Sequence, residues 1–110
     1  MLYVKENGNI KLTRGDTAYL TFPMTTSANE EYVMQAGDKL EFAVRETVES
    51  ESALIHKTVT GGNEFHIEPS DTAGLAFGKY KYDVQLTMAD GDVFTVTPVR
   101  EFEVLGEVTR

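Results

Sequence analysis

Apolar residues in this chain recur at every second position, and that rhythm limits it to a sheet protein. Ile10 and Leu12 alternate with polar neighbours, as do Ala18, Leu20 and Phe22, and then Leu40, Phe42 and Val44. The pattern returns at Phe65 and Ile67, along Tyr80, Tyr82, Val84, Leu86 and Met88, and at Phe102 and Val104. Successive side chains of a strand point to opposite faces, so a period of two describes strands with one dry face and one wet face. No segment holds a helical period of 3.6 residues over about three turns. Asn7-Gly8-Asn9, Arg14-Gly15-Asp16, Gly37-Asp38, Gly61-Gly62-Asn63 and Asp90-Gly91-Asp92 fall between the periodic runs, at the spacing of a β-sandwich or barrel.

Local chemistry refines this expectation. Asp90-Gly91, between Leu86-Thr87-Met88 and Val93-Phe94-Thr95-Val96, reads as a tight hairpin with Gly91, and tolerably Asp90, at positive φ. Gly61-Gly62 reads as another hairpin tip. Ser70 to Leu75 follows Pro69 with a capping residue and a glycine, which predicts one helical turn crossing between sheets. Thr25 to Gly37 is the least periodic stretch and is expected to be a loop plus a short edge strand around Tyr32-Val33-Met34. With 110 residues, no internal repeat and no proline-rich linker, residues 1–110 are expected to form a single domain.

Composition excludes several functions. Ten Lys and Arg against eighteen Asp and Glu give a formal charge of -8, the wrong sign for binding nucleic acid or an anionic membrane through phosphates. The absence of cysteine removes disulfides, thiolate metal sites and cysteine nucleophiles. The N-terminus has no basic region leading into an apolar one, and no apolar run reaches the ~18 residues of a membrane span. Neither a signal peptide nor a transmembrane segment is expected.

Chemistry has few places to reside. The two histidines, His56 and His66, flank Gly61-Gly62. A three-residue hairpin loop would set them diagonally on one face beside Glu64 and Glu68, with Ile55, Val59, Phe65 and Ile67 together on the other. Imidazoles and carboxylates so placed can ligate a divalent metal, but cross-strand polar pairs on a wet face are the preferred reading. Glu49 with Glu51, Asp90 with Asp92, and Glu101 with Glu103 read as loop, turn and solvated-face residues, without the cleft that paired catalytic carboxylates need. Asp90-Gly91-Asp92 lacks the further spaced oxygens of a calcium loop, and no lysine or helix follows Gly61-Gly62 as a phosphate loop requires. No catalytic, cofactor-binding or metal residue is assigned, and the chain is expected not to be an enzyme.

Of the five tyrosines, Tyr80 and Tyr82 share the apolar face with Val84 and Leu86, while Tyr3, Tyr19 and Tyr32 fall out of step with their apolar neighbours. Tyr80 stands at the start of a late strand just after the sheet-crossing turn, as the tyrosine corner of immunoglobulin-like sandwiches does. Its hydroxyl is expected to bond back near Asp71 to Gly74. Tyr82 then takes the inward site where antibody domains carry their second cysteine. The fold expected is an all-β, immunoglobulin-like antiparallel β-sandwich of about seven to nine strands, with one short helical turn near residues 70–75.

Ile10-Lys11-Leu12-Thr13-Arg14-Gly15-Asp16-Thr17, Leu40-Glu41-Phe42-Ala43-Val44-Arg45, and Asp71-Thr72-Ala73-Gly74-Leu75 with Gly78-Lys79-Tyr80-Lys81-Tyr82-Asp83-Val84-Gln85-Leu86 carry a resemblance. Over Ile10 to Val104 the chain resembles the immunoglobulin-like N-terminal domain of phage baseplate upper proteins and related prophage tail proteins. The resemblance implies a structural or docking module of a tail or baseplate, without catalysis, made in the bacterial cytoplasm and carried in the virion. It implies self-association and contacts with neighbouring tail proteins. Members of that family often continue into a linker and a trimerising or receptor-binding portion, whereas this sequence stops at Arg110. It is therefore expected to be a small stand-alone component, or to leave host binding to another chain. The shared residues look architectural, so none is carried over as a site. Thr25 to Gly37, Met1 to Glu6 and Phe102 to Arg110 are the expected contact surfaces. The alternative is a small carbohydrate-binding module that stacks sugars on exposed tyrosines.

Overall fold

The computed structural model describes residues 2–4, 8–22, 24 and 30–106. They form eight strands and one helix: β1 (Leu2–Val4), β2 (Ile10–Thr13), β3 (Ala18–Thr21), β4 (Lys39–Arg45), β5 (Ile55–Thr60), β6 (Glu64–Ile67), α1 (Pro69–Ala73), β7 (Gly78–Thr87) and β8 (Val93–Leu105). A six-stranded sheet, ordered β1-β2-β8-β7-β4-β5, faces a two-stranded sheet of β3 and β6. In immunoglobulin terms the large sheet holds the C, F and G strands (β4, β7 and β8) and the small one holds B and E (β3 and β6). The expected all-β sandwich is the architecture found.

Every alternating apolar position of the sequence points between the sheets. Ile10, Leu12, Leu40, Phe42, Val44, Tyr82, Val84, Phe102 and Val104 come from the large sheet, and Ala18, Leu20, Phe65 and Ile67 from the small one. Where antibody domains place a disulfide and a tryptophan, this cysteine-free chain places rings. Phe42 lies 6.0 Å from Phe22, 5.7 Å from Phe65, 5.4 Å from Tyr82 and 6.2 Å from Phe102, centroid to centroid. Aromatic pairs at such distances add to the burial of their area, so Phe42 joins both sheets without a covalent bond.

Three expectations change. The large sheet is mixed, because β2 runs parallel to β8, with Ile10 beside Phe102 and Leu12 beside Val104. Alternation has the same period in either strand direction, so it carries no sign of this. Gly61-Gly62 is not a hairpin tip: β5 pairs with β4 and β6 pairs with β3, so the segment carries the chain from one sheet to the other. Ile55, Phe65 and Ile67 still meet in the core, across the sandwich rather than along one sheet. Around Tyr32 no edge strand forms among the described residues, and Glu31 makes only an isolated bridge; residues 25–29 of that loop lie outside the described set.

The β7–β8 hairpin closes around a three-residue loop. Gly91 N–H donates to the Met88 carbonyl (2.9 Å), Met88 N–H donates to the Asp92 carbonyl (2.7 Å), and Gly91 sits at φ 97. A turn followed by a left-handed glycine is the three-residue hairpin with a bulge. Further along, the ladder slips twice, between Tyr82 and Val84 and between Val84 and Gln85. Pro98 stands opposite the first slip and has no N–H to give the ladder, so the strand bulges there. The predicted helical turn is α1, which joins β6 of the small sheet to β7 of the large one. Its N-cap is Glu68, with Asp71 returning the bond from three residues on, and not Ser70.

Candidate interaction surface

The histidine constellation considered from sequence does not assemble. His56, on β5, and His66, on β6, belong to different sheets. His56 Nε2 lies 3.1 Å from Glu41, which Lys39 also reaches at 2.9 Å. The bonds from Lys39 and then His56 hold the Glu41 carboxyl below its usual range. His66 stacks on Tyr19, its cross-strand partner, at 4.6 Å with the rings 7° from parallel, and lies 4.0 Å from Glu68. Glu41 with His56 and Tyr19 with His66 are cross-strand pairs, Lys39 with Glu41 and His66 with Glu68 lie two residues apart along the chain, and the polar pairs expected between His56 and His66 across one hairpin do not form. Among the described residues no group of three or more His, Asp or Glu side chains is placed to hold a metal ion. Glu101 and Glu103 form outer-face pairs with Lys79 (3.9 Å) and Lys11 (3.7 Å).

Two of the stretches that carry the resemblance, the turn at Arg14-Gly15 and the segment Asp71 to Leu75, meet in space at one corner. Gly15 N–H donates to the buried Thr72 hydroxyl (2.9 Å), and Arg14 donates to the Leu75 carbonyl (3.3 Å). The Arg14 guanidinium also lies 4.3 Å from the centre of the Phe77 ring. Tyr80 completes the corner by donating to the Ala76 carbonyl at 2.7 Å, four residues upstream and slightly later than expected. Tyr82 donates to the Gly8 carbonyl, and burial pushes its hydroxyl up to about 12. The turn after β2 is thereby fastened to the helical turn before β7.

The opposite end of the sandwich is tied by Asp38, which sequence reading took for an ordinary turn residue. Its buried carboxylate accepts from the Tyr32 hydroxyl, from Gln35 N–H (3.0 Å) and from Ala89 N–H (3.3 Å). The tyrosine bond, then the Gln35 bond, holds the carboxyl below its usual range against the effect of burial, and the same contact raises Tyr32. The Asp38 carbonyl also accepts from Gly61 N–H at 3.2 Å. One residue thus fixes the segment before β4, the β5–β6 connection and the β7–β8 loop to one another. Tyr32 and Gln35 are near it in sequence, but Ala89 and Gly61 are not, so no local motif announces the junction.

The segments expected as contact surfaces differ in exposure. Phe102 and Val104 are buried in β8, between β2 and β7, and cannot serve as a free terminal contact. Residues 107–110, Met1 and residues 5–6 lie outside the described set, while Leu2–Val4 pairs with β2. In the segment before β4, Val33 is exposed, whereas Tyr32 and Met34 pack against the core.

Besides Tyr19, Val33, Leu54 and Phe77, exposed large apolar residues fall in two places about the large sheet. The hairpin tip presents Val93 (56% exposed) and Phe94 (50%) beside Asp90 and Asp92. Lower on the outer face, Ala43, Arg45, Val48, Lys81, Asp83 and Val99 line a shallow groove. Val48 and Val99 are 59% and 45% exposed there. The bulge after Pro98 aims Val99 at this groove, a common use of a bulge. Among the described residues no helix is long and apolar enough to cross a membrane. Compared with protein-family models and with curated proteins, the chain matches none.

Proposed function

We propose that the chain is a non-enzymatic structural or adaptor component of a phage or prophage tail or baseplate, acting through protein–protein contacts. One observation carries the reading. Two of the three stretches behind the resemblance, Ile10 to Thr17 and Asp71 to Leu75, are far apart in sequence, yet Arg14 and Gly15 bond Leu75 and Thr72 directly. A shared pair of motifs that forms one structural corner supports a common scaffold better than either motif would alone. On this reading the chain is made in the bacterial cytoplasm and ends in the virion, where its exposed outer faces meet neighbouring subunits. The test is to induce the encoding strain, purify released particles on a density gradient and quantify the chain by mass spectrometry. A fixed copy number beside tail proteins is expected, and particles that lack the chain would refute a virion role.

A second reading, a small carbohydrate-binding module, rests on Tyr19. Its ring is 60% exposed on the outer face of the small sheet and stacks against His66. A sugar ring could extend that stack. Tyrosine emission that responds to a glycan panel in the native chain, and not in a Tyr19→Ala variant, is the result this reading requires.

A further inference from the structure

We infer that the outer face of the large sheet is a self-association surface, on which the β7–β8 hairpin tip of one copy seats over the groove of a second, and reciprocally. The two patches complement each other in charge and in polarity. The tip carries Asp90 and Asp92 beside Val93; the groove carries Arg45 and Lys81 beside Val48 and Val99, with Asp83 as its one acid. Among the described residues no carboxylate lies within 4.0 Å of Arg45 or Lys81, and no Lys, Arg or His within 4.0 Å of Asp90 or Asp92. Arg45 is held in place by the Ser50 and Glu51 carbonyls (3.1 and 2.9 Å), which orient the guanidinium and leave its charge unneutralised.

The chain cannot bring its own tip and groove together. Both are built on β7 and β8, which pair with each other along their length. Asp83 and the tip are separated by about 15–20 Å of strand at ~3.3 Å per residue. Thr87, Gln85, Asp83 and Lys81 share the outer side of β7, and Val93 faces outward opposite Thr87. The tip and the groove therefore look out from one face, along one strand direction. Two copies laid outer face to outer face and antiparallel bring each tip over the other's groove in a single step. Such a contact is isologous and closes at two subunits, the commonest symmetry of soluble oligomers. Between the patches Lys39, Glu41, His56, Gln85 and Thr95 supply polar groups of both signs. The inference does not depend on a virion role, since it concerns the purified chain alone.

The experiment is sedimentation velocity on the full chain across a concentration series, at low and high ionic strength. A species of twice the 12.2 kDa of one chain is expected at low salt, weakened by salt because its charge pairs are screened. Lys81→Glu and Asp92→Lys should each raise the dissociation constant about tenfold or more, the scale expected for reversing a charge against its partner. At concentrations where the native chain is monomeric their thermal melts should match it, since both side chains are exposed. An equimolar mixture of the two variants should recover the dimer, because one contact is then native and the other has its charges exchanged. A chain that stays monomeric at high concentration in low salt would overturn the inference. So would a dimer that both variants leave intact, or one that the mixture fails to restore.

Discussion

Replacing Gly37 by alanine tests how tightly the loop end is built. Gly37 sits at φ +88, and a Cβ placed on it would lie 2.9 Å from the Ala89 Cβ. The positive φ costs an L-residue about 1–2 kcal/mol. The contact with a methyl group that has no rotamer to escape into adds about 1–3 kcal/mol of overpacking. Together they predict a loss of about 2–5 kcal/mol, a fall in melting temperature on the order of 10–20 °C for a domain of this size. The two costs are separable. Ala89→Gly removes the obstructing methyl and keeps the backbone N–H that bonds Asp38. In the Gly37→Ala/Ala89→Gly double variant only the φ cost and the small penalty of a new loop glycine should remain. A double-mutant cycle by chemical denaturation should therefore give a favourable coupling of about 1–3 kcal/mol. Strict additivity would mean that the segment before β4 does not press against the hairpin loop as described.

Tyr80→Phe removes the hydroxyl that bonds the Ala76 carbonyl; a loss of about 1 kcal/mol by denaturation is expected, and an unchanged midpoint would count against the corner. Thr72→Val keeps the buried shape but takes away the acceptor of the Gly15 N–H. About 1–3 kcal/mol should be lost, with faster hydrogen exchange at the Gly15 amide. Because Asp38 and Glu41 are lowered by folding, the stability they contribute is complete above the unfolded carboxylate range, about pH 4. It is lost as pH falls below that range through their folded values. Asp38→Asn should flatten this acid limb in pH-dependent denaturation. Tyr82 is raised from 10.0 to about 12, so its contribution is complete below pH 10.0 and lost as pH rises to about 12. Tyr82→Phe should shrink that alkaline limb to what Tyr32, also raised by folding, contributes; a limb unchanged in size would assign it to another group.

The faces of the strands were legible in the sequence, and their neighbours were not. Side-chain alternation states which residues point inward, and Leu40, Phe42, Val44, Tyr80, Tyr82, Val84 and Leu86 are all buried. It is silent on pairing. His56 and His66 flank a glycine pair that looks like a hairpin, yet the strands on either side join opposite sheets. What decides between hairpin and crossover is the competition of every strand for partners, a long-range property. Ile55 and Val59 on β5 match Val44 and Leu40 on β4 in register, so the β4–β5 ladder takes that strand away from β6. The same reasoning covers β2, whose direction beside β8 leaves the pattern of Ile10 and Leu12 unaltered.

The polar residues that matter were harder to read, because what they do depends on distant backbone. Asp38 and Asp90 both sit beside a glycine and both look like turn acids. Asp90 is one: its side chain accepts from Asp92 N–H, two residues on, at 2.9 Å. Asp38 is buried because the hairpin loop brings the Ala89 N–H to it from 51 positions away. A carboxylate can be removed from water only where donors replace its hydration; Tyr32 and Gln35 supply two of them from the same segment, and the third comes only with the hairpin loop. At the tip of the same loop Val93 stays 56% exposed. Among the described residues neither the acids of that tip nor Arg45 and Lys81 of the groove meet an opposite charge within 4.0 Å, and the inferred pairing of two copies is the arrangement in which each patch would answer the other's charge.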